Sequence, residues 1–100
     1  MTNAGPIKPQ NGTRFEFRLS DDSREDAVEV RYTATIFRDD SQWNLTLVLN
    51  AAAVVVQSED PMVPDDAKHQ LLALARTLTK RKDDEPWPRR VLRWRQPGVR

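Results

Sequence analysis

The chain of 100 residues contains no cysteine. That removes disulfides, thiol nucleophiles and thiolate metal ligands together, along with the covalent staples on which small secreted domains often rely. Glycine is almost as scarce: Gly5, Gly12 and Gly98 are the whole supply, and all three fall outside the apolar-patterned part of the sequence. No glycine-rich loop that cradles phosphate on backbone N–H groups can be built from them, which sets aside the common nucleotide-cofactor enzymes. Long apolar runs are missing as well. The longest, residues 51–56, is about a third of what a membrane span needs, and the first thirteen residues carry no apolar signal core. The expectation is a cytoplasmic domain with no membrane partner and no cofactor.

The composition that remains, 38% hydrophobic and 31% charged, lies far from both the membrane class and the disordered class, so a folded globule is expected. Net charge is only +1, yet it is unevenly spread. Residues 1–60 hold six Lys/Arg against ten Asp/Glu, or −4, and residues 61–100 hold ten against five, or +5. This asymmetry is the most usable functional hint in the sequence.

Apolar patterning organises the chain into one domain, 13–96, between tails at 1–12 and 97–100. Phe15, Phe17 and Leu19 alternate with Arg14, Glu16 and Arg18, which reads as a half-buried strand. A second strand follows, with Val28, Val30, Tyr32, Ala34 and Ile36 on one face. Arg38–Ser41 supplies turn chemistry, after which Trp43, Leu45, Leu47 and Leu49 resume the period of two, so these strands form a hairpin. The apolar run 51–56 breaks the alternation and predicts a bulge or sharp bend near Asn50, with extended chain continuing to Gln57. Pro64 opens a helix in which Asp65 and Asp66 favour the positive end of the dipole and Lys80, Arg81 and Lys82 the negative end. Ala67, Leu71, Leu74 and Leu78 form its apolar stripe. A last strand, 89–95, puts Leu92 and Trp94 inward and Arg89, Val91, Arg93 and Arg95 outward.

The predicted fold is therefore α+β: an antiparallel three-stranded meander with one long helix on one face and a fourth C-terminal strand, β-β-β-α-β. Its predicted core is Phe15, Phe17, Leu19, Val28, Val30, Tyr32, Ile36, Trp43, Leu45, Leu47, Leu49, Leu71, Leu74 and Leu78.

Candidate sites are few, and most have an ordinary explanation. His69 has Asp65 one helical turn before it, but two ligands do not enclose a metal, and the pair falls opposite the leucine stripe. The acidic doublets at Asp21, Asp39, Asp65 and Asp83 sit at turns and helix ends, where Asp is favoured locally. No G-x-S-x-G elbow, S-x-x-K pair, zinc-finger spacing or RNA-recognition signature is present. No catalytic, cofactor-binding or metal residue is assigned.

What remains is a basic set, Arg76, Lys80, Arg89, Arg90, Arg93 and Arg95, with Trp87 interleaved. Arginines beside aromatics are what phosphate contact with base stacking would use. Equally, the arginines make an ordinary solvated face, and Trp87, flanked by prolines, packs over a sheet edge. A net charge this small weighs against nucleic acid. The leading expectation is a small non-enzymatic interaction domain that binds another protein or itself as a homodimer. A weak nucleic-acid-binding domain is the alternative.

Overall fold

A computed structural model describes residues 12–80 and 85–95. Its elements are β1 (Thr13–Leu19), β2 (Val30–Arg38), β3 (Ser41–Leu49), β4 (Val54–Glu59), α1 (Asp65–Leu78) and β5 (Arg90–Arg95). The strands form one antiparallel sheet in the order β4-β3-β2-β1-β5, and α1 packs on one face. The α+β class, the meander, the single helix and the C-terminal strand are as the sequence predicts. The terminal tails apart from Gly12, the cations Arg81 and Lys82, and the acidic doublet Asp83–Asp84 lie outside the described residues.

Each boundary has a local cause. The β2–β3 hairpin turns over Asp39 and Asp40, with Asp39 at a φ of 54°. Aspartate tolerates this left-handed region better than most residues, because its short side chain can bond locally. At the end of β3, the Asn50 side-chain oxygen accepts from the backbone N–H groups of Ala52 and Ala53, at 2.8 and 2.9 Å. The Asn50 N–H in turn donates to the Ala53 carbonyl. This asparagine-centred turn makes the predicted bend, and it sends the chain back along β3 as a full additional strand, β4. The pairing of β3 with β4 shifts register between Thr46 and Leu47.

The helix is shorter than predicted. Pro64 serves as its N-cap residue in an extended conformation, and Thr79 closes the other end, so 14 residues are helical and Lys80 lies beyond the last turn. At 1.5 Å per residue α1 is about 21 Å long, close to the ~19 Å across five strands. That length lets it carry the chain from β4 at one edge to β5 at the other. Its buried stripe is Ala67, Leu71, Leu74 and Ala75, the two alanines permitting close approach to the sheet.

The core lies between α1 and one sheet face. Phe15 and Phe17 of β1, Val30, Tyr32, Ala34 and Ile36 of β2, and Leu45, Leu47 and Leu49 of β3 are all buried there. Leu19, Trp43 and Leu78 are partly buried against it. Three expectations need correction. Val28 is 83% exposed, because residues 28 and 29 form a bend before β2 begins and the period of two does not yet apply. Trp87 is 1% exposed and belongs to the core. In β5 the phase is reversed: Val91 is buried, while Leu92 and Trp94 are exposed. Their partners in β1 fix the sides, since Val91 stands opposite Phe17 whereas Leu92 and Trp94 stand opposite Glu16 and Arg14. Among the described residues, no helix is long and apolar enough to cross a membrane.

Candidate interaction surface

With α1 on one face, the other face of the sheet has no covering element among the described residues. Strand alternation places Arg14, Glu16 and Arg18 of β1 there, flanked by Phe37, Thr35 and Thr33 of β2 and by Trp94, Leu92 and Arg90 of β5. Val48 and Val55, paired across β3 and β4, lie toward the other side of the same face.

Two side-chain arrangements give the β1–β5 side its character. The Arg14 guanidinium carbon sits 4.3 Å from the centre of the Phe37 ring and 5.8 Å from that of Trp94. Its Nε is buried without a hydrogen-bond partner, and attraction to the electron-rich ring faces partly stands in for one. One step along β1, the Glu16 carboxylate accepts from Arg18 Nε at 3.1 Å and Arg90 Nε at 2.8 Å, with its own side chain only 12% exposed. Burial pushes the Glu16 carboxyl up, but hydrogen bonds and charge from Arg90 and Arg18 outweigh it, and the pKa ends below the ordinary 4.5. The face thus presents rings and aliphatic groups around cations that are partly neutralised.

The basic residues singled out in the sequence do not converge. Arg76 and Lys80 are exposed at the C-terminal end of α1. Arg89 is paired with Glu25, and Arg90 lies on the open face. By the alternation that buries Val91, Arg93 and Arg95 fall on the helix side of the edge strand β5. Trp87 leaves the contact set altogether. Its indole N–H donates to the Ala27 carbonyl at 2.8 Å, its backbone N–H to the Glu25 carbonyl at 2.8 Å, and its ring meets Tyr32 edge-on. Buried on all sides, it has no face to offer a partner.

The residues that do share the open surface include Arg14, Glu16 and Arg18 of β1, which the sequence marks only as the polar side of a strand. Leu92 and Trp94, predicted to face inward, are exposed apolar members of it. A signal for Arg14 existed in its alternation with Phe15 and Phe17, but its ring neighbours come from β2 and β5, and that pairing is invisible without the sheet order.

Elsewhere, a cleft of about 370 Å³ is lined by Thr77, Leu78, Lys80, Glu85, Pro86 and Pro88. Another of about 200 Å³ lies among Asp22, Ser23, Glu29, Val30, Arg31 and Val48. Of the hydroxyls lining them, Thr77 donates to the Leu74 carbonyl and Ser23 accepts from the Arg31 backbone N–H. Among the described residues, no three His, Asp or Glu side chains gather closely enough to hold a metal ion, and His69 and Asp65 are exposed on α1. Comparison with protein-family models, with curated proteins and with solved structures finds no match to this chain.

Proposed function

We propose that this chain is a non-enzymatic interaction domain that docks another protein, or a second copy of itself, on the open sheet face and its β5 side. The observation that carries this reading is the exposure of Leu92 and Trp94, 41% and 51%, on a face where Val55 is also 55% exposed. Exposed large apolar groups side by side on an uncovered sheet surface, as Leu92 and Trp94 are on β5, mark a surface with a partner. Polar Thr33, Thr35, Asn44 and Thr46 of β2 and β3 lie between this pair and Val55 at the far edge. Its setting on this reading is cytoplasmic, where a core without cross-links has no need of oxidising conditions.

Light scattering over a range of concentrations tests the self-associating form: a dimer disrupted by Trp94→Glu supports it. A photo-cross-linking residue at position 94, introduced into the full chain in cells, tests the heterologous form through mass spectrometry of captured products. A chain that is monomeric throughout and captures no protein from that position sinks the proposal.

The nucleic-acid reading keeps one specific observation, the Arg14 guanidinium between two rings on the face that also carries Arg18 and Arg90. Against it stand the neutralising Glu16 and the scatter of the other cations over α1 and the far side of β5. Titrating labelled single- and double-stranded oligonucleotides at two salt concentrations decides, since phosphate contacts make binding steeply salt-dependent. Absence of binding at low salt removes this reading.

A further inference from the structure

Resting on the protein-interaction reading, we propose that β5 is a strand-addition edge for an extended segment of another protein in which acidic and apolar residues alternate.

The backbone supplies the first argument. The Leu19 N–H donates to the Arg89 carbonyl at 2.9 Å. Because bonding residues alternate in an antiparallel ladder, residues 91, 93 and 95 also face β1, and the N–H and C=O groups of Arg90, Leu92 and Trp94 point away from it. A side chain confirms that direction at one position. The Leu92 carbonyl accepts from Nη1 of Arg93 at 2.8 Å, so a guanidinium covers an acceptor the sheet leaves unused. An incoming strand takes over that carbonyl and releases Arg93 to bind a carboxylate.

The side chains say which strand fits. On the open face, the edge offers exposed Leu92 and Trp94. On the helix side it offers Arg93 and Arg95, neither with a carboxylate within ion-pair distance among the described residues, whereas Arg89 and Arg90 are paired with Glu25 and Glu16. Side chains of an added strand alternate between the same two faces. Those beside Leu92 and Trp94 are therefore apolar, and those beside Arg93 and Arg95 acidic.

A second copy of β5 does not fit. Antiparallel pairing about a twofold axis sets arginine against arginine, Arg93 on Arg93 in one register or Arg89 on Arg95 in another, and like charges directly opposite destabilise a strand pair. The other edge is differently built. On β4 the ladder to β3 is interrupted at Thr46/Leu47, and Glu59 is held by Lys68 of α1 at 2.6 Å. Bulges and paired charges of this kind protect an edge.

The test uses the full chain and a short, end-capped, labelled peptide in which Glu alternates with Val and Thr, with the Lys-for-Glu peptide as control. Fluorescence anisotropy should show binding of the acidic peptide only. Arg93→Glu combined with Arg95→Glu should weaken it about tenfold or more. So should Leu92→Pro, which removes an outward N–H and leaves the β1 ladder untouched. Melting curves report whether each variant folds. Independently of any variant, amide exchange in the wild-type chain should slow at Leu92 and Trp94 when the peptide is bound. Binding with no such protection and no loss in Leu92→Pro overturns strand addition, as does an oligonucleotide that protects the same amides. If the acidic peptide fails while cross-linking at position 94 still captures a protein, only this inference falls. If both fail and the chain is monomeric throughout, the interaction reading falls with it.

Discussion

Trp87 ties together parts of the chain that are far apart in sequence. It sits in the crossing between α1 and β5, yet its two N–H groups bond to the loop before β2 and its ring packs against Tyr32. Tyr32 meets Phe17 edge-on and donates its hydroxyl to the Pro88 carbonyl at 2.5 Å. Three parts of the chain distant in sequence are thus fastened at one point. Trp87→Ala should lower the unfolding free energy by about 3–5 kcal/mol, as deletion of a buried aromatic does. Tyr32→Phe should lower it by about 1 kcal/mol through the lost hydrogen bond. Urea titrations with a common slope check both. The sequence places Trp87 between two prolines and suggests a tryptophan packed over a sheet edge. Its full burial was not legible, because an isolated aromatic in an irregular segment has no periodicity and both acceptors lie some sixty residues earlier.

At the scale of elements, β1, β2, β3 and the apolar stripe of α1 could be read directly, since each shows a regular period over several residues. Leu74 is 5% exposed beneath the helix, and Leu74→Ala should cost about 2–5 kcal/mol by chemical denaturation. Where the period fails, the reading fails too. In β5, Leu92 and Trp94 outvote Val91 by count, but pairing with β1 sets Val91 beside buried Phe17 and the other two beside Glu16 and Arg14. An edge strand covered for only part of its length obeys its neighbours rather than its own composition. The strand β4 was half visible as extended chain after a bend, but nothing in a run of alanines and valines says that it pairs with β3. The hairpin at Asp39 offers a local test. Asp39→Val should cost about 1–2 kcal/mol, because a branched side chain resists positive φ, whereas Asp39→Gly should leave stability level or slightly raised.

Over the whole molecule, ion pairs join the layers. The Arg38 guanidinium at the end of β2 donates to both carboxylate oxygens of Asp66 in the first turn of α1, at 2.9 and 3.3 Å, and its Nε donates to the Thr13 hydroxyl at 2.9 Å. The hydrogen bond from Arg38 leads the causes that hold Asp66 below its ordinary 3.8, while Glu16 is held below 4.5 by Arg90 and Arg18 against the opposing effect of burial. A carboxyl whose folded pKa lies below its unfolded value adds stability above the unfolded value and loses it as pH falls through the folded one. Stability should therefore be flat near neutrality and decline as pH drops below about 4.5. Glu16→Gln and Asp66→Asn should each flatten that acid limb, read from denaturation midpoints over a pH series. With the Asp66 side chain 64% exposed, its share of that decline should be the smaller.

The neighbour of β1 on its outer side comes from the far end of the chain: Arg90 reaches Glu16 across 74 positions. During synthesis β2, β3, β4 and α1 all leave the ribosome before β5 exists, and through that interval the flank of β1 beside Phe15 and Phe17 stays unpaired. A nascent chain stalled between the helix and the last strand therefore displays a sticky border that the finished protein conceals, and that is the stage at which a chaperone would be needed most.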